Sequence, residues 1–94
     1  MTKYVIISKL TDDGAKTLKK NPKRIKEVNE ELKSMGVTVL EQFFILGRFD
    51  FLNIVEAEDE KSISKAVVEL ASRGSIRTTT FTAIPVDEFS TYFD

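Results

Sequence analysis

The sequence predicts an α+β sandwich built as βαββαβ, with an antiparallel four-stranded sheet in the order 4-1-3-2 and two helices on one face. Three observations predict it. Tyr4 to Leu10, Val37 to Leu46, Phe51 to Ala57 and Ile76 to Ile84 are rich in β-branched and aromatic residues and end at glycine or acidic turns. Between the first and second of these segments, and again between the third and fourth, apolar residues recur at helical spacing as a single stripe, which suits a helix lying on a sheet. The halves also repeat: Ile25, Val28, Leu32, Gly36 and Phe43 match Ile63, Ala66, Leu70, Gly74 and Phe81 at a constant offset of 38. Two such halves in one sheet make the ferredoxin-like arrangement.

The first strand alternates from Tyr4 to Leu10. After it the repeat breaks, because the first half holds an insertion between Asp12 and Pro22. Gly14 to Lys20 is therefore the one element the internal symmetry does not require, either a short extra helical turn over a sheet edge or a functional addition. The first helix then starts with Asn21 as cap and Pro22 at its first position, buries Ile25, Val28, Leu32 and Met35, and stops at Gly36. Strands two and three form a hairpin whose tip reads Leu46-Gly47-Arg48-Phe49-Asp50. The second helix takes Asp59 as cap, buries Ile63, Ala66, Val67, Leu70 and Ala71, and stops at Gly74. Strand four leads into an aromatic tail, Val86 to Phe93.

Composition narrows the function classes. With 94 residues, 41% of them hydrophobic, the chain is a single domain over residues 1–94 whose core is adequate but would gain from a partner surface. It has no cysteine, hence no disulfide or thiolate metal site, and no histidine, which removes the commonest general base and zinc ligand. No catalytic residue, metal site or cofactor is assigned. The apolar run at the N-terminus is too short for a signal peptide or membrane span, so a cytoplasmic protein with no membrane partner is expected. Lys16, Lys19, Lys20, Lys23, Arg24 and Lys26 form a basic run. A solvated face is the favoured reading, and nucleic acid is not an expected partner, because the net charge is −1. Positive charge at a helix start would oppose the helix dipole, a cost that a bound anion would relieve.

Strand alternation divides the sheet residues into two sets. Val5, Ile7, Val39, Phe43, Leu52, Ile54, Phe81 and Ala83 are expected under the helices. Tyr4, Ile6, Leu40, Gln42, Phe44, Phe51, Asn53, Val55, Thr78, Thr80 and Thr82 are expected on the other face, too apolar for water and too polar for a core. A homodimer or higher oligomer packed sheet against sheet follows, with Tyr4, Phe44, Phe51, Thr78 and Thr80 in the interface. The tail is the alternative cover, and it could also reach across to a partner.

The strand order brings Lys9, Thr11, Arg48, Asp50 and Arg77 to one sheet edge at the hairpin tip. Asp50 and Arg77 are expected to form a salt bridge. The alternative is a polar pocket for a small zwitterion or anion. The candidate ligand-binding residues are accordingly Gly47, Arg48, Phe49, Asp50, Arg77 and Thr11. Asp50 has no carboxylate close enough for a paired-acid hydrolase.

Gly47-Arg48-Phe49-Asp50, Val55-Glu56-Ala57-Glu58-Asp59 and Gly74-Ser75-Ile76-Arg77-Thr78-Thr79-Thr80 together resemble the GYD domain family, as do Thr11-Asp12-Asp13-Gly14 and Asn21-Pro22-Lys23-Arg24. The likeness runs from Tyr4 to Phe89, with Phe49 in place of the family's tyrosine. It implies a ferredoxin-like protein of the dimeric α/β-barrel type without an established activity, and it removes any role of a phenolic hydroxyl at the tip. The second half is also similar, more distantly, to the effector-binding domain of leucine-responsive and asparagine-activator regulators. That likeness nominates Gly47, Phe49 and Asp50 as contacts for a small metabolite between subunits. The favoured expectation is an oligomeric small-molecule-binding or regulatory module. The alternatives are an assembly protein without ligand, or an enzyme using Tyr4, Asp50 or Arg77 in a cleft between sheet and helices.

Overall fold

The computed structural model describes residues 1–94. In chain order the elements are β1 (Thr2–Leu10), α1 (Asp12–Lys20), α2 (Arg24–Ser34), β2 (Val37–Phe44), β3 (Phe51–Ala57), α3 (Glu60–Ser72), β4 (Ile76–Ala83) and α4 (Val86–Thr91). The sheet is antiparallel throughout in the order β2-β3-β1-β4, the expected order read from the other edge. Two helices more than expected are present.

The first addition is α1, a full helix where one extra turn is expected. Thr11 caps it, accepting from the Gly14 amide at 3.1 Å, and Asp12 and Asp13 occupy its first turn. Lys19 and Lys20 sit in the last turn, where the helix dipole favours positive charge, so much of the basic run has no unfavourable field for an anion to relieve. Asn21 closes this helix and does not cap the next one: its carbonyl accepts from the Arg24 amide in a turn through Pro22 and Lys23, and α2 begins at Arg24 without a side-chain cap. Asp59 caps α3 as expected, accepting from the Ser62 amide at 2.9 Å.

The core lies between the sheet and α2 and α3, and here the expected faces exchange places. Tyr4, Ile6, Val37, Val55 and Ala57 are buried with Leu32, Ile63, Ala66 and Leu70 from the helices. Full burial of such a side chain contributes about 1.5–3 kcal/mol. Alternation grouped the residues almost correctly, since Tyr4 is in register with Val55 and Thr82, and Ile6 with Asn53 and Thr80. The helices nevertheless cover that set and leave the other open. Tyr4 and Phe51, expected at a subunit interface, are 2% and 8% exposed inside the chain's own core, and Thr78 and Thr80 stand on this covered side. Phe44 packs edge-on against Phe51, with ring centroids 5.4 Å apart, at the end of the same face.

The open face carries Val5 between Ile54 and Phe81, and Ile7 between Leu52 and Thr79, with Phe43 beside Leu52. Phe43 and Phe81 are each about half exposed, at 51% and 52%. The register of β2 shifts between Val39 and Glu41, leaving Leu40 without a partner. This bulge puts Val39 with the core, as expected, but beside Val55 and away from its expected companions Val5, Ile7 and Phe43, while Gln42 keeps company with Asn53. The C-terminal α4 does not lie on the open face as a cover. None of its residues is buried, and Phe89 packs on Tyr92 and Phe93 at centroid distances of 5.9 and 5.2 Å.

Candidate functional site

The hairpin tip gathers the expected residues, but their polar groups are engaged in building the turn. β2 ends at Phe44, earlier than expected, and the Ile45 amide donates to the Asp50 carbonyl at 2.8 Å to close the loop. Gly47 has φ +149°, a conformation that other residues rarely adopt. Arg48 lies over the Phe49 ring at 6.0 Å, and its carbonyl accepts from Lys9 Nζ at 3.2 Å. Asp50 fastens the tip to β1 twice: its amide donates to the Ser8 carbonyl at 2.9 Å, and its Oδ2 accepts from the Leu10 amide at 2.7 Å. The expected Asp50–Arg77 salt bridge is not formed. Arg77 is in register with Lys9 and donates to the Ile76 carbonyl at 3.3 Å.

Thr11 likewise has a structural task. Besides capping α1, its hydroxyl donates to the Gly74 carbonyl at 2.7 Å and lies 3.1 Å from that of Ser75, whose oxygen also accepts from the Thr11 amide at 2.9 Å. Gly14 completes this junction. A Cβ added there would stand 2.0 Å from the Ser75 carbonyl oxygen, so only glycine lets α1 approach the α3–β4 turn this closely.

A cavity of about 150 Å³ opens between the covered face of the sheet and α1, α2 and the end of α3, and it is lined by none of the expected ligand-binding residues. Neither Tyr4, Asp50 nor Arg77 reaches it, so the cleft-enzyme expectation loses its three nominated groups. Its apolar wall includes Leu10, Leu18, Ile25, Val28, Phe51 and Ile76, and its polar groups include Ser8, Asn29, Gln42 and Asn53. Asn29 Nδ2 donates to Gln42 Oε1 at 2.8 Å and Gln42 Nε2 to Asn29 Oδ1 at 3.2 Å, so these amides satisfy each other. Asn53 Oδ1 is shielded from solvent and has no hydrogen-bond partner. Such an orphan costs about 1–3 kcal/mol. At the rim, Glu31 pairs with Arg73 and, at 3.0 Å, with Arg24. No group of three or more acidic, cysteine or histidine residues is placed to hold a metal ion.

Comparison with known proteins places this geometry in a family. The GYD domain model matches residues 4–92, nearly the whole chain. The chain belongs to the GYD domain family. A relative from Thermus thermophilus, named "Glutamine synthetase and cystathionine beta-lyase binding protein", is 55% identical over 87 residues, 92% of each chain. Among solved structures, MtbAldR superposes with a TM-score of 0.64 at 20% identity over 89% of this chain and 52% of its own. FFRP-DM1 does so with a TM-score of 0.59 at 24% identity, over 89% of this chain and 100% of its own. These two share the ferredoxin-like fold.

In this GYD protein the cavity was missed at the level of sequence, although a signal exists. Asn53 falls between Phe51 and Val55 in strand phase, and Asn29 follows Val28 in the apolar stripe of α2. Polar amides in core phase mark either a hydrogen-bonded pair or a cavity, and both occur here. The rim network gives a separate expectation. Hydrogen bonding and charge from Arg73, followed by Arg24, hold the Glu31 carboxyl below its ordinary range. Its contribution to stability is therefore complete above the unfolded carboxylate range and is lost as pH falls through the lowered folded value. Thermal midpoints measured between pH 6 and pH 3, covering roughly the carboxylate range, should fall less steeply for Glu31→Gln than for the unsubstituted protein. Parallel curves would remove Glu31 from the acid response. No helix of the GYD protein is long and apolar enough to cross a membrane.

Proposed function

We propose that this GYD protein is a homodimeric regulatory module that docks on metabolic enzymes, with glutamine synthetase and cystathionine beta-lyase as the expected partners. The observation that carries the reading is the 55% identity, over 92% of both chains, with the Thermus protein named for binding those two enzymes. The fold supports dimerisation. Val5, Ile7, Leu52, Ile54, Phe43 and Phe81 make an apolar face whose two phenyl rings are half exposed in the single chain. A second sheet is the cover that fits it, and the projecting aromatic α4 is free to clasp the partner.

Co-elution of the purified protein with each enzyme tests the docking. The expected result is a shared peak with at least one of them and a change in that enzyme's activity. Separate elution of both at tens of micromolar (roughly −6 kcal/mol of binding) would overturn the enzyme-binding reading. Light scattering tests the dimer. Twice the 10.7 kDa chain mass is expected at micromolar concentration, falling to the single-chain mass in Phe81→Asp with an unchanged circular dichroism spectrum. An unsubstituted monomer would refute the sheet-to-sheet assembly.

A further inference from the structure

We propose that the cavity between the sheet and α1–α2 binds a small uncharged molecule with a ring-sized apolar body and one hydroxyl or N–H group, which pairs with Asn53 Oδ1. Four observations carry this. The volume of about 150 Å³ is that of a cavity able to hold a benzene-sized molecule. Leu10, Ile25, Val28 and Phe51 supply an apolar wall for such a body. Asn53 Oδ1 is shielded from solvent and unpartnered, an acceptor that a ligand hydroxyl or N–H would satisfy. The neighbouring Asn29 and Gln42 amides are already paired with each other, which leaves Asn53 Oδ1 as the shielded acceptor in the lining without a partner.

The charges at the rim determine the ligand's own charge. No acidic residue lines the cavity, so a cation has no carboxylate to meet. Arg24 and Arg73 do line it, but Arg24 is paired with Glu27 and Glu31, and Arg73 with Glu31 and Glu69. Both guanidinium groups are thus already neutralised by carboxylates outside the lining, so an anion entering here would have to compete with Glu27, Glu31 and Glu69 for them. A neutral ligand meets neither obstacle. The cavity also gives α1 a purpose, since the helix that the internal repeat does not require supplies Gly14, Thr17 and Leu18 to the wall.

The test is titration of the full-length protein with phenol, benzene and benzoate, followed by amide NMR. The titration contains no partner enzyme, so its success or failure is read apart from that of the enzyme-docking proposal. Phenol is expected to shift the amides of Ser8, Phe51 and Asn53, to bind about tenfold more tightly than benzene through the added hydrogen bond, and to leave benzoate without effect at equal concentration. Asn53→Leu should retain benzene and lose the preference for phenol. Equal binding of phenol and benzene by the unsubstituted protein removes the role of Asn53, tighter binding of benzoate reverses the charge argument, and absence of binding by all three eliminates the site. Each of these outcomes is readable without the variant, so the proposal does not depend on Asn53→Leu folding.

Discussion

Gly14→Ala is expected to destabilise the protein by about 2 kcal/mol or more, although alanine is the better helix former. A methyl group at this position would meet the Ser75 carbonyl oxygen at 2.0 Å, a backbone atom that cannot rotate aside. Either α1 or the α3–β4 turn must move. Overpacking of this kind costs about 1–3 kcal/mol and sometimes more. The helical preference of alanine over glycine, about 1 kcal/mol, offsets only part of a backbone collision. The three hydrogen bonds to the Gly74 and Ser75 carbonyls from Thr11 would be strained by the same displacement. Thermal or urea unfolding checks this, and the midpoint should fall by roughly 10 °C for a domain of this size. An unchanged or raised midpoint would show that the junction yields easily and that the close approach has little energetic weight.

Asp50→Ala should cost about 1–3 kcal/mol, because it leaves the half-buried Leu10 amide without its 2.7 Å acceptor. Asp50→Asn retains a carbonyl oxygen in nearly the same place and should recover much of that loss. The comparison bears on what this residue does. A carboxylate kept for its bond to β1 is rescued by asparagine in urea unfolding, whereas equal losses in Asn and Ala variants would mean that its charge matters. Asp50 has no ion pair in the chain, which is why the asparagine variant is expected to approach the parent in stability.

The strand order, the antiparallel pairing and the two repeat-related helices were legible because they depend on period and punctuation along the chain. So was the partition of sheet residues into two sets. What alternation could not decide was which set the helices cover. Val5, Ile7, Leu52, Ile54, Phe43 and Phe81 make the more uniformly apolar group, and that uniformity read as core. The helices instead cover the set that also contains Ser8, Asn53, Thr78 and Thr80. A face intended for another molecule can be as apolar as an interior, and composition does not separate the two cases. The bulge at Leu40 was equally silent, since nothing in Val39-Leu40-Glu41 announces an extra residue.

The hairpin tip was located correctly, and Lys9 reaches it as expected, but Arg77 does not pair with Asp50 and the chemistry assigned to these residues did not follow. Thr11 and Asp50 are occupied by backbone amides and carbonyls, which side-chain types alone do not reveal. The helical start at Thr11 was present in the text of the chain. A threonine followed by two aspartates, with two lysines a few residues later, is the charge order of a short helix with both ends satisfied.

One consequence of the pleat concerns distance. Asn53 faces the cavity, while Leu52 and Ile54 on either side of it face outward from the sheet. The wall between the cavity and the open face of the sheet is thus a single backbone thick at β3. Whatever pushes on Asn53 from within is one peptide bond from the open face that the proposed dimer would bury, with no intervening layer of side chains to absorb the movement.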